Sequence, residues 1–215
     1  MTKNSLRISE IFYSLQGEGK SVGLPTTFIR LTGCPLRCGY CDTEYAFYGG
    51  QERDISDIID QVQSIGANYI NVTGGEPLAQ KRVHGLMKQL CDLGFQVSLE
   101  TSGALDVSAV DSRVVKVLDV KTPGSGEEAK NKVQNYAYLT ATDQVKYVIC
   151  DQADFIWSKE HMYQHQLQDK CEVLFSPVQG RLEAAELAGW VLQYKLPVRF
   201  QIQLHKYLWG DQPGK

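Results

Sequence analysis

Short runs rich in Val, Ile, Leu and Phe alternate along the chain with stretches whose apolar residues recur every three or four positions. The runs are Leu6–Phe12, Phe28–Leu31, Tyr69–Val72, Phe95–Leu99, Val114–Val120, Val145–Ile149, Cys171–Phe175 and Val198–Leu204. Their length and near-continuous apolar character are those of strands covered on both faces. Helical spacing appears at Ile55, Ile58, Ile59, Val62 and Ile65, with Asp54 as cap and Gly66 as stop. It returns at Val83, Leu86, Met87, Leu90 and Leu93 before Gly94, and again at Leu182, Ala185, Leu187, Ala188, Val191 and Leu192. Such alternation predicts parallel strands joined by right-handed crossovers. At 215 residues the chain is short for a complete eight-unit barrel, for which roughly 250 residues is usual. The expected fold is therefore α/β, a partial, open parallel barrel of the (βα)6 type, with residues 1–215 as a single domain. The Gly/Ser-rich loop Thr122–Glu128 is too short to link two domains.

Hydrophobic residues make up 43% of the chain and charged residues 22%, enough apolar content for a proper core. The net charge of −3 leaves no global basic field, so no nucleic-acid partner is expected. No apolar run approaches the roughly 18 residues of a membrane span. Lys3, Arg7 and Glu10 are out of place in a secretory leader. A cytoplasmic protein without a membrane partner is the expectation.

Six cysteines sharpen the picture. Cys91, Cys150 and Cys171 lie in apolar stretches and read as small buried hydrophobes. Cys34, Cys38 and Cys41 fall within eight residues, directly after the strand Phe28–Leu31. That places them on a loop at a strand's C-terminal end, where ligands bind in parallel α/β folds. Clustered thiols in a chain of this kind indicate metal or redox chemistry rather than a disulfide scaffold. Three thiolates can hold three irons of a four-iron cubane and leave the fourth open to an exogenous ligand. A zinc site is the competing reading; it needs a fourth ligand from afar, such as His84 or Cys91.

The spacing Cys-x3-Cys-x2-Cys, with Tyr40 just before the last cysteine, resembles the signature of the radical S-adenosylmethionine enzymes. Thr73–Gly74–Gly75–Glu76–Pro77 follows the next strand and matches that superfamily's Gly-Gly-Glu-Pro element; alone it is merely a tight turn. Glu100–Thr101–Ser102–Gly103, Asp119–Val120–Lys121 and Ser176–Pro177–Val178–Gln179 each end a further strand. All these polar elements fall at the same strand end, as one cofactor cleft requires. The resemblance implies a [4Fe-4S] cluster on Cys34, Cys38 and Cys41. It also implies S-adenosylmethionine contacts at Tyr40, Gly74, Gly75, Glu76, Ser102, Lys121, Ser176 and Gln179, and a flavodoxin- or ferredoxin-like reductant.

Outside these motifs, Ile8–Gly19, Phe28–Leu31, Cys41–Asp42–Thr43 and Gln203–Leu208 resemble the 7-carboxy-7-deazaguanine synthase family over essentially the whole chain. The implied activity is a lyase-type ring contraction of 6-carboxy-5,6,7,8-tetrahydropterin to 7-carboxy-7-deazaguanine with loss of ammonia, in queuosine and 7-deazapurine biosynthesis. The implied catalytic agent is the cofactor's 5′-deoxyadenosyl radical, acting at C6, rather than a side chain. Magnesium at Thr43, a homodimer, and substrate contacts at Leu15, Gln16, Gly17, Glu18, Arg30, Thr73 and His205 follow from the same resemblance. The residue chemistry is compatible: Arg30 offers a planar fork for a carboxylate, and Gln16 and Glu18 can read a pterin edge. Each also has a plain structural reading: Glu18 as a turn cap, Arg30 paired with a neighbouring carboxylate, His205 as a satisfied histidine. Two other functions stay in view, an activase of glycyl-radical enzymes using the same radical chemistry, and a non-enzymatic metal-cluster protein.

Overall fold

A computed structural model describes residues 4–210, 212 and 214. Asp211, Pro213 and Lys215 of the C-terminal tail therefore lie outside the described residues. The elements run β1 (Ser5–Leu15), β2 (Pro25–Leu31), β3 (Gln51–Asp54), α1 (Ile55–Ile65), β4 (Tyr69–Gly74), α2 (Val83–Asp92), β5 (Gln96–Thr101) and β6 (Val115–Val120). They continue with β7 (Gln144–Ile149), α3 (Gln152–Gln164), β8 (Glu172–Pro177), α4 (Ala184–Gln193), β9 (Arg199–Phe200) and α5 (Leu204–Trp209). One sheet takes the strands in the order β3-β1-β2-β4-β5-β6-β7-β8-β9. From β2 to β9 every pairing is parallel, while β1 pairs antiparallel with β2 and β3. The ends of this order, β3 and β9, are not paired with each other, so the barrel is open as expected.

Two of the three apolar stripes do what their spacing implies; in the third, Leu187 and Val191 of α4 are buried but Leu192 is 77% exposed. Ile55, Ile58, Ile59 and Val62 of α1 are buried against the sheet, as are Val83, Leu86, Met87 and Leu90 of α2. Gly66 ends α1 in the left-handed region, its N–H donating to Val62 O at 3.3 Å. Asp54 precedes α1 as expected, but its side chain makes no cap hydrogen bond. Cys150 and Cys171 are buried, and Cys91 is partly buried against the core.

The run Val198–Leu204 corrects the reading. Only Arg199–Phe200 pairs as strand, and Leu204 opens α5. His205 therefore sits on a short helix instead of just past a strand. β3 was hidden by its polar sequence, Gln51–Asp54, which suits a half-solvated edge. α3 was hidden because two of its four buried residues, Asp154 and Ser158, are polar. Asp154 accepts from the N–H groups of Gly124 (2.8 Å) and Cys150 (3.1 Å) and from Thr122 Oγ1 (2.9 Å), pinning the loop after β6. Among the described residues no helix is long and apolar enough to cross a membrane.

The seat of α3 contains a titratable contact. His161 Nδ1 lies 2.8 Å from Tyr147 Oη and its Nε2 3.3 Å from Tyr136 Oη, with Trp157 stacked on the ring at 4.7 Å. A neutral imidazole has one donor and one acceptor, so one tyrosine donates and the other accepts. Burial, followed by the nearby His165, brings the His161 pKa down to about 4 from 6.5. The unfolded chain thus takes up this proton at higher pH than the folded one. The contribution of His161 to stability is full above pH 6.5 and falls as pH drops toward about 4. Chemical denaturation at stepped pH should give a steeper acid loss for the wild type than for His161→Gln; equal slopes would refute the assignment.

Candidate active site

The C-terminal ends of the parallel strands open onto a cavity of about 580 Å³. Register decides which side chains share a level. Arg30 on β2 stands opposite Thr73 on β4, and Asp119 on β6 opposite Lys146 on β7; all four line the cavity.

On one side lie the three clustered cysteines, all lining the cavity. Burial pushes all three thiols up, Cys38 to about 11. Such thiols ionise when a cation binds them, which is what a metal centre asks of its ligands. Among the described residues no three His, Cys, Asp or Glu side chains converge on a single ion. A cubane has a different requirement, because each thiolate takes its own iron. The donor set therefore fits an iron–sulfur cluster. The loop is held from outside by Gly39 N–H donating to Ser125 O (3.0 Å), Arg37 N–H to Glu127 Oε1 (2.5 Å) and Arg181 Nη2 to Gly39 O (2.6 Å).

The glycines beside it have a tighter reason than ligand approach. A Cβ on Gly75 would stand 2.4 Å from Gly33 O and 2.7 Å from Cys34 Cβ, and one on Gly74 2.3 Å from Leu31 O. Both residues line the cavity, but what excludes a side chain is the backbone of β2 and the cysteine loop.

Glu76 is placed differently from expectation. It is buried outside the cavity lining, accepting from Leu78 N–H (3.0 Å), Thr101 Oγ1 (2.9 Å), Ser102 N–H (2.8 Å) and Ser102 Oγ (2.5 Å). A buried carboxylate needs donors, and the end of β5 supplies them. Its geometry makes it a brace between the ends of β4 and β5. Ser102 lines the cavity but spends its hydroxyl proton on Glu76. Ser176 is also outside the lining, its Oγ buried without a hydrogen-bond partner among the described residues. Tyr40, Lys121 and Gln179 do line the cavity. Tyr40 Oη donates to Val148 O at 3.4 Å, and Lys121 lies 3.1 Å from Asp119. Burial works against the Lys121 charge, but Asp119 beside it raises its pKa overall.

Leu15, Gln16, Glu18, Arg30, Thr43, Thr73 and His205 also line the cavity. Gln16 Oε1 accepts from the N–H groups of Gly17 (2.9 Å) and Glu18 (3.3 Å), folding its own loop. Gly17 is placed apart from these. It lies outside the cavity lining, and the His205 ring occupies its missing side chain, with Nδ1 2.1 Å from where a Cβ would stand. Arg30 does pair with a carboxylate, its Nε donating to Glu10 Oε1 at 2.7 Å, while its guanidinium lies over Phe12. Burial pulls the His205 pKa down, against the attraction of Glu18 and Asp42. Thr43 Oγ1 donates to Asp42 Oδ1 at 2.7 Å.

The cavity also holds a charge cluster whose lysine, Lys146, sequence reasoning passed over. Buried Lys146 donates to Glu18 and lies 3.6 Å from Glu100 and 3.7 Å from Asp119. Burial disfavours its charge, but Glu18, Glu100 and Asp119 raise its pKa well above the ordinary value. For Glu18 burial is outweighed by Lys146, and its pKa is lowered. Glu100 goes the other way. Burial, with the repulsion of Glu18 and Asp119, outweighs the attraction of Lys146 and sets its pKa at about 7. The sequence carried a signal: Asp119 and Lys146 interrupt otherwise apolar strand runs, and charges so buried are almost always paired.

The Radical SAM superfamily profile matches residues 28–119, the span of both cofactor motifs. A protein of Chlorobaculum tepidum named 7-carboxy-7-deazaguanine synthase is 44% identical over 97% of this chain and 96% of its own length. One of Koribacter versatilis with the same name is 40% identical over 96% of this chain and 98% of its own. Among solved structures, QueE from Escherichia coli superposes with a TM-score of 0.78 at 21% identity, covering 94% of this chain and 95% of that one. SuiB from Streptococcus suis, solved with S-adenosylmethionine, gives 0.57 at 14% identity over 80% of this chain and 45% of that one.

Proposed function

The chain belongs to the 7-carboxy-7-deazaguanine synthase family of radical S-adenosylmethionine enzymes, and we infer that it converts 6-carboxy-5,6,7,8-tetrahydropterin to 7-carboxy-7-deazaguanine and ammonia. It is a lyase of queuosine and 7-deazapurine biosynthesis. The observation that carries the reading is one cavity lined both by three clustered thiols and by a carboxylate–ammonium cluster.

Cys34, Cys38 and Cys41 would hold the [4Fe-4S] cluster, and Gly74, Gly75, Tyr40, Ser102, Lys121 and Gln179 would surround S-adenosylmethionine. When bound, this pair supplies the 5′-deoxyadenosyl radical that takes hydrogen from C6 of the substrate. The remaining work falls to the chain. Arg30, its Nε fixed by Glu10, presents its outer nitrogens to the substrate carboxylate. Thr43 and that carboxylate are oxygen donors suited to magnesium. Gln16, Glu18, Thr73 and His205 bind the pterin edge, and Gly17 leaves the room that lets His205 reach in. Glu100, lining the cavity with a pKa of about 7, is the group that would give a proton to the departing nitrogen. A flavodoxin- or ferredoxin-like reductant, a homodimer and a cytoplasmic site of action complete the proposal, supported by the family likeness.

The test is an anaerobic assay of reconstituted protein with S-adenosylmethionine, reductant and 6-carboxytetrahydropterin, with and without magnesium, read by mass spectrometry. Formation of 7-carboxy-7-deazaguanine, faster with magnesium, is expected. Methionine and 5′-deoxyadenosine alone would overturn the substrate and point to a protein acceptor.

A further inference from the structure

The helix α5 carries His205 and Lys206 into the cavity, yet none of its residues is buried, and Tyr207 is 78% exposed. Apolar packing therefore does not explain how it stays in place. Its seat is polar. Leu204 N–H donates to Gly17 O at 3.0 Å. Just before the helix, Gln203 Nε2 donates to Glu18 Oε1 at 2.8 Å and to Asp42 Oδ2 at 3.3 Å. Lys206 Nζ lies 3.6 Å from that same Asp42 oxygen. The other Asp42 oxygen accepts from Thr43. Asp42 follows Cys41 directly, so one carboxylate reaches the cysteine loop on one side and the C-terminal segment on the other.

We propose that Asp42 is a positioning residue that ties α5 to the cysteine loop, so that the substrate half of the cavity is complete only when that loop is seated. Each contact alone is a modest, partly exposed one. Together they are a large share of what holds a helix without buried residues, and such elements open locally at low free energy. The tether would keep His205 and Lys206 in place while the radical is generated nearby, so cofactor cleavage and substrate turnover stay coupled. This inference rests on the substrate reading above for its kinetic arm but not for its structural one.

The structural arm is hydrogen exchange of amides 204–209 in the metal-free protein. Asp42→Asn should speed exchange about fivefold, the scale of a coupling between contacting polar groups. Lys206→Met should do so less, and the effect of the double variant should fall short of the sum of the two single effects. Unchanged exchange in Asp42→Asn, or strict additivity, would overturn the tether. In the kinetic arm, Asp42→Asn should raise KM for the pterin about tenfold, a loss of about 1.4 kcal/mol in binding. It should also release 5′-deoxyadenosine in excess of product at unchanged iron and sulfide content. Lost iron with unchanged exchange would mean that Asp42 serves the cysteine loop alone, and would also overturn the proposal. If the wild type made no 7-carboxy-7-deazaguanine, the substrate reading would fail while the exchange experiment still judged the tether.

Discussion

Glu100→Gln is expected to lower kcat by about 10²–10⁴, the range by which a positioned acid or base accelerates proton transfer. Glu100 ends β5 inside the cavity, 3.6 Å from Lys146. Its neighbours are chosen against its charge: burial first, then Glu18 and Asp119, leave its pKa at about 7 even with Lys146 beside it. A group so poised exchanges a proton readily near neutral pH, whereas Gln keeps the shape and removes the proton. The wild-type pH profile of kcat should therefore inflect near 7, and that inflection should vanish in Glu100→Gln. Formation of 5′-deoxyadenosine should persist, because the cysteine side of the cavity is untouched. A variant that kept kcat within about threefold, well short of the loss expected of a general acid, together with the inflection, would remove Glu100 from the mechanism.

Gly75→Ala should abolish cluster assembly. The added methyl would meet Gly33 O at 2.4 Å and both Gly33 C and Cys34 Cβ at 2.7 Å. These are backbone atoms and the root of a side chain, so no flexible end can swing aside. The same junction is zipped by Gly75 N–H to Leu31 O (3.2 Å) and Glu76 N–H to Gly33 O (2.8 Å). Relief must therefore come from moving the loop that carries Cys34. Overpacking of this kind costs about 1–3 kcal/mol. Iron and sulfide per chain after reconstitution should fall to background, with a lowered Tm for the metal-free protein. Gly85→Ala on α2 is the control. Nothing lies within 4 Å of its Cβ position, and the change should stabilise the helix by up to about 1 kcal/mol. Full iron loading in Gly75→Ala would show that the loop tolerates displacement.

The contrast between these two positions shows where sequence reading works. Gly74 and Gly75 were visible as a motif, but the reason that they must be glycine lies far earlier in the chain, at Leu31 for Gly74 and at Gly33 for Gly75, and only a parallel register of β2 against β4 brings these there. Glu76 was visible too, but the donors that hold it come from the next strand and were not. The open barrel and the cysteine loop were legible because period and spacing are local properties of the chain. So were α1 and α2, whose apolar stripes are clean.

What escaped was what depends on distant partners. α3 buries Asp154 and Ser158, so its stripe does not look apolar until Thr122 and Gly124 are seen to satisfy Asp154. No residue of α5 is fully buried, and Gly17, Glu18 and Asp42 hold it and its lead-in through polar contacts. By itself, then, the sequence determined the strand and helix rhythm, the strand end where chemistry collects and the thiol spacing. All are written in neighbouring residues by steric and hydrophobic periodicity. Tertiary structure alone decided that Lys146 neutralises Glu18 while leaving Glu100 near pH 7, and that Asp42 faces α5. Electrostatic free energy depends on distance in space and on desolvation, and neither is encoded by position along the chain.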